Sequence, residues 1–132
     1  LAGIAFLKGL GLVHAISHMV GAEYDTHHGL TNAVVLPAVL RFNAPAITDN
    51  VPAMMRALGQ PGTNFDDFYR YVCGLLDQFQ IPRTLSELGV PISAAEALTI
   101  KALKDAAAGT NPRVADADSL MTVISEAITV GR

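Results

Sequence analysis

The sequence predicts an all-α domain, and two observations carry that prediction. Apolar residues recur at helical spacing in one segment after another, and no segment sustains the two-residue alternation of a strand. Capping residues open these segments, and glycine or proline closes them. At 132 residues the chain has the length of one domain with one full core. No internal repeat, low-complexity tract or long linker divides it.

A first helix is expected from about Ala2 to Ala22, with Ile4, Leu7, Leu10, Val13, Ile16, Met19 and Val20 near a helical period. Phe6, Leu12 and Ala15 lie elsewhere round the cylinder, so most of this helix should be buried. Gly21 and the polar run Glu23 to His27 end it. A second helix should run from about Gly29 to Phe42, with Pro37 as a kink. Asn43-Ala44-Pro45 breaks the pattern, and a shorter helix follows to Leu58, stopped by Gly59. Thr63 with Asp66 has the form of a capping box ahead of Phe65, Phe68, Tyr69, Val72, Leu75, Leu76 and Phe79, and Pro82 stops that helix. Ser93 with Glu96 is a second capping box, opening a helix to about Ala107. Asn111-Pro112-Arg113 reads as a turn. Asp118 is placed to cap a last helix through Leu120, Val123, Ile124 and Ile128.

Composition narrows the function. Hydrophobic residues make up 51% and charged residues 16%, an apolar balance implying that part of the surface is covered by something else. The net charge is −3 and the nine Lys and Arg are scattered, which argues against a nucleic-acid partner. Cys73 is the only cysteine, so no internal disulfide can form and an intracellular, cytoplasmic setting is expected. The apolar opening Leu1-Ala2-Gly3-Ile4-Ala5-Phe6-Leu7 lacks the basic flank of a secretory signal. Lys8, His14 and His18 interrupt it before the roughly 18 residues of a membrane span, so no membrane partner is expected. The remaining reading is that this chain begins inside a longer protein.

The chemistry concentrates in one place. All four histidines, His14, His18, His27 and His28, lie between positions 14 and 28. Imidazole both ligates transition metals and moves protons near neutral pH. His14 and His18 are one helical turn apart on one face, and His27 and His28 follow a polar turn. Spacing alone favours a metal held by His14 and His18, completed by His27 or His28. Glu23 and Asp25 are local carboxylates that could join them or, alternatively, satisfy structural histidines. Three histidines form an open catalytic zinc pattern, and an added carboxylate moves the site towards iron or zinc. There is no Walker motif, no glycine-rich fingerprint after a strand and no nucleophile with an ordered base. Among other residues, Cys73 reads as an inert packed thiol and Phe65 with Tyr69 as core. Asp66-Asp67 suits a helix N-terminus, and Lys101 with Lys104 suits a solvated face. Asn32 is open between orienting the histidine site and packing.

Gly11-Leu12-Val13-His14-Ala15-Ile16-Ser17-His18, Gly21-Ala22, His28-Gly29, Asn32-Ala33 and Leu36-Pro37 together resemble the iron-containing (group III) alcohol dehydrogenase family. The likeness continues through Arg41-Phe42-Asn43, Ile81-Pro82-Arg83-Thr84-Leu85 with Leu88-Gly89, and Asn111-Pro112-Arg113. Glycerol dehydrogenases and dehydroquinate synthases share the fold with looser motifs. The resemblance implies that residues 1–132 are the C-terminal helical metal-binding domain of a two-domain enzyme, a multi-helix bundle of the dehydroquinate synthase-like type. The N-terminal α/β domain that binds NAD(P) in the family lies outside this chain. The resemblance also revises the ligand assignment. It makes His14 and His28 the metal ligands (Fe2+ or Zn2+) and His18 a non-ligand near the nicotinamide, a candidate for proton relay or cofactor contact.

Two positions depart from the family pattern, Met19 and His27, each standing where proline is common. The aspartate and histidine that complete the family's ligand set have no counterpart here. The implied reaction oxidises alcohols to aldehydes or ketones with NAD(P), the metal serving as Lewis acid. Alone, the chain is expected to be inactive, to hold metal weakly or not at all, and to self-associate, with the Ile4 to Leu12 segment protected in a homo-oligomer. The competing class is a stand-alone helical interaction module with structural histidines.

Overall fold

The computed structural model describes residues 11–25, 27–104 and 116–131, without the side chains at 11, 12, 14 and 28. Among the described residues there are helices and no strands, as the periodicity predicts. The helices are α1 (Gly11–Tyr24), α2 (His28–Ile47), α3 (Val51–Ala57), α4 (Phe65–Gln78), α5 (Ala95–Leu103) and α6 (Ala117–Thr129). Short 3-10 turns at Thr48–Asn50, Leu85–Leu88 and Ile92–Ala94 join them.

The central element is α2, which packs against α1, α4 and α6, while α5 bridges α1 and α6. Val34, Val35, Ala38, Val39 and Leu40 of α2 are all buried, so its apolar residues surround the cylinder instead of lining one stripe. Helices at the edge show the opposite pattern. In α4 the buried residues Phe68, Val72 and Leu76 fall four apart, and in α6 Leu120, Val123, Ile124, Ala127 and Ile128 make a single apolar face. The run Gly29–Ala57 is also long and apolar enough, by composition, to cross a membrane. Half of its most apolar window is buried inside this fold, which is how a core helix behaves.

Several boundaries differ from expectation, each for a local reason. The first helix continues to Tyr24, and Asp25 closes it in the left-handed region at φ 52°, donating its N–H to the Gly21 carbonyl at 2.9 Å. The second helix does not break at Asn43-Ala44-Pro45. Asn43 and Ile47 are buried, so tertiary packing outweighs the proline there. Pro37 likewise sits inside an uninterrupted helix.

Three caps move. Asn64 rather than Thr63 caps α4, its Oδ1 accepting from the Asp67 N–H at 2.8 Å. Asp116 rather than Asp118 caps α6, accepting from the Ser119 N–H at 2.7 Å. No side chain caps α5, because a 3-10 turn occupies the place of the expected Ser93–Glu96 box. The reciprocal arrangement lies earlier, where Glu87 accepts from the backbone N–H groups of Arg83 at 2.6 Å and Thr84 at 3.2 Å. The expected helix to Ala107 is helical to Leu103, and the rest, with the Asn111-Pro112-Arg113 turn, lies outside the described residues. So do the first ten residues.

Candidate metal centre

The histidine cluster occupies the junction of α1 and α2. His14 and His18 lie one turn apart within α1, His27 is the residue that caps α2, and His28 is its first helical residue. The two helices pack on each other. The rings of His14 and His28 lie outside the described residues, which leaves the surroundings of His18 and His27.

His18 is exposed. His27 is also exposed, and its imidazole is engaged by the backbone. Its Nδ1 accepts from the Leu30 N–H at 3.3 Å, so the ring caps α2. An Nδ1 that accepts this bond directs its lone pair at the helix terminus instead of at a cation. Gly29 makes room for this, since a Cβ there would meet the His27 ring at 3.3 Å. His27 is therefore a poorer rival for metal than its position beside His28 implies.

Of the nearby carboxylates, Glu23 forms an ion pair with Lys101 across α1 and α5. Lys101 is thus a tie between helices as well as a solvated side chain. Among the described residues no three His, Cys, Asp or Glu side chains converge as a metal site.

Sequence reasoning missed two polar side chains buried in an apolar bundle, Ser17 and Thr31, and left Asn32 open between orienting the site and packing. Ser17, beside His18, is 1% exposed, and Thr31 is fully buried with its hydroxyl donating to the His27 carbonyl at 2.9 Å. Asn32, one turn after His28, buries an Oδ1 that has no hydrogen-bond partner. The readable signal was the presence of Ser17, Thr31 and Asn32 among Val, Leu and Ala. A buried acceptor without a partner, one helical turn after His28, suits a polar or metal-centred ligand better than a plain hydrophobic contact. The donor chemistry fits a borderline cation such as Fe2+ or Zn2+.

A second polar group stands further along α2. Arg41 is the only Arg, Lys, Asp or Glu in that helix. It donates through Nη1 to the Tyr69 hydroxyl at 2.5 Å and to the Gly131 carbonyl at 2.9 Å, and through Nη2 to Glu126 at 3.3 Å. Burial pushes the Tyr69 hydroxyl above its ordinary value, opposed by the Arg41 guanidinium. Tyr69 also stacks on Phe65, with ring centroids 5.8 Å apart. Arg41, Glu126, Ser119 and Thr122 line an open groove of about 340 Å3 between α2 and α6. By the helical rise of 1.5 Å per residue, Arg41 lies roughly 20 Å along α2 from His28, so this groove is remote from the histidines.

The model of the Fe-containing alcohol dehydrogenase family, C-terminal, matches residues 1–128. The chain belongs to the iron-containing alcohol dehydrogenase family. Within that family it is 35% identical to NAD-dependent methanol dehydrogenase of Bacillus methanolicus, over 97% of this chain and 35% of that protein. It is 35% identical to lactaldehyde reductase of Escherichia coli (strain K12), over 91% of this chain and 33% of that protein. Among solved structures, a 1,3-propanediol oxidoreductase superposes with a TM-score of 0.82 at 29% identity, covering 89% of this chain and 32% of that one. The chain spans about a third of the length of these relatives.

Proposed function

We propose that this chain is the metal-holding helical part of an NAD(P)-linked alcohol dehydrogenase that interconverts small alcohols with aldehydes or ketones. The observation that carries the reading is the placement of four histidines at the α1–α2 junction of a chain matched almost end to end by the family. His14 and His28 would hold the cation together with ligands from outside this chain. A bound Fe2+ or Zn2+ would supply Lewis acidity towards the substrate oxygen.

The protein's own residues divide the remaining work. The His27 cap and the hydroxyl of Thr31 fix the start of α2, and with it the backbone of His28. His18, exposed one turn from His14, passes the substrate hydroxyl proton towards solvent or contacts the nicotinamide. The dinucleotide is bound by a domain beyond this chain, so the chain alone is inactive and holds metal weakly. Self-association and a cytoplasmic setting belong to the same reading. Sedimentation of the isolated chain as a clean monomer at micromolar concentration would count against the first.

Metal analysis and kinetics on histidine variants of the full-length protein test the assignment. His14→Ala and His28→Ala should lose metal and activity together, whereas His18→Ala should lower turnover and keep its metal. Loss of metal from His18→Ala as complete as from His14→Ala would overturn the assignment in favour of the one-turn pair on α1.

A further inference from the structure

Asn32 is out of place on two counts. Asparagine is a poor residue for a helix interior, because its amide competes for nearby backbone groups. Here it stands inside α2 among Thr31, Ala33, Val34 and Val35, and its Oδ1 is buried with no hydrogen-bond partner. A leucine or alanine would remove both disadvantages. A position that breaks local rules without a structural return marks a functional constraint.

Side chains on a helix lean towards its N-terminus and over the residues three and four before them. For Asn32 those positions are Gly29, which carries no side chain, and His28, the first residue of α2. Resting on the metal-site reading above, we propose that Asn32 is a positioning residue, whose amide oxygen accepts the free ring N–H of His28 when the other ring nitrogen holds the metal. Ligating histidines as a rule donate their second ring N–H to an oxygen, which fixes tautomer and orientation and raises ligand basicity. The chain provides an acceptor for that bond one turn downstream, already stripped of water.

The test compares Zn2+ affinity and metal-free thermal stability in the full-length protein carrying Asn32→Leu, Asn32→Asp or His28→Ala. Zn2+ alone is the probe, titrated against a chromophoric chelator. Asn32→Leu should weaken Zn2+ binding about 10- to 100-fold, while the metal-free protein melts at the same temperature or higher. Asn32→Asp, which keeps an acceptor, should bind within a few-fold of the parent. Opposite signs for affinity and metal-free stability are what a packing role would not produce. Wild-type Zn2+ affinity in Asn32→Leu would overturn the proposal, as would equal weakening in Asn32→Leu and Asn32→Asp, or a metal-free protein destabilised by leucine. Wild-type affinity in His28→Ala would instead sink the metal-site reading itself.

Discussion

Arg41 and Gly131 stand 90 positions apart in sequence and are joined by a 2.9 Å hydrogen bond from the guanidinium to the carbonyl. The same side chain reaches Tyr69 on α4 and Glu126 on α6. One residue therefore ties the central helix to two others and to the segment that follows α6.

Replacing Arg41 should cost stability in a way that charge alone does not restore. Arg41→Met leaves the Gly131 carbonyl and the Tyr69 hydroxyl without their donor, for a loss of about 1–3 kcal/mol. The Glu126 pair adds little, since both side chains are about a third exposed or more. Arg41→Lys should recover only part of the loss, because an ammonium cannot serve three acceptors through a planar fork. Urea midpoints of the three proteins measure this, and full recovery by lysine would refute the fork argument.

Gly131→Ala should be destabilising by about 1–3 kcal/mol. Gly131 has φ 66°, and an added Cβ would fall inside the Arg83 carbonyl, which is backbone and cannot swing away. A thermal melt unchanged from the parent would show that the segment after α6 moves aside freely.

His27 should be separable from its neighbour. His27→Asn supplies another side-chain acceptor for the first turn of α2 and should preserve both stability and metal content. His27→Ala should lose about 0.5–2 kcal/mol, the usual value of a helix cap, again with metal retained. Loss of metal from His27→Asn would show that this imidazole is a ligand after all.

The pH dependence of stability should have one limb from Asp116 and one from Tyr69. The Ser119 backbone N–H holds the Asp116 carboxyl below its ordinary 3.8. That contribution is present above 3.8 and disappears as pH falls through the lower folded value. Burial raises Tyr69 above its ordinary 10.0, against the pull of Arg41. Its contribution is complete below 10.0 and is lost as pH rises through the higher folded value. Denaturant titrations of Asp116→Asn and Tyr69→Phe across both ranges should flatten the acid and alkaline limbs respectively.

The helical class and the placing of α4 and α6 were readable because their apolar residues repeat with period 3.6, and such a pattern needs no tertiary information. The caps were misplaced by one or two residues because Thr63, Asn64, Asp116 and Asp118 are all acceptable caps, and backbone geometry chooses among them. Burial of Asn43 carries α2 through Pro45, a tertiary effect that no local rule contains. At the site, the histidine cluster stood out by composition. The capping role of His27 did not, since histidine is an unusual cap and its ring nitrogens leave no signature in sequence. The stranded oxygen of Asn32 is likewise visible only once the helices are assembled.

The burial of the middle of α2, at Val34, Val35 and Ala38 to Leu40, has a consequence for how this domain opens. Its backbone amides should be among the last to exchange with solvent, since exposing them requires α1, α4 and α6 to separate. His28 begins the same helix, at an end flanked by the exposed His27 and Gly29. A ligand that binds there only in the folded state is coupled to the stability of the bundle through the helix His28 begins.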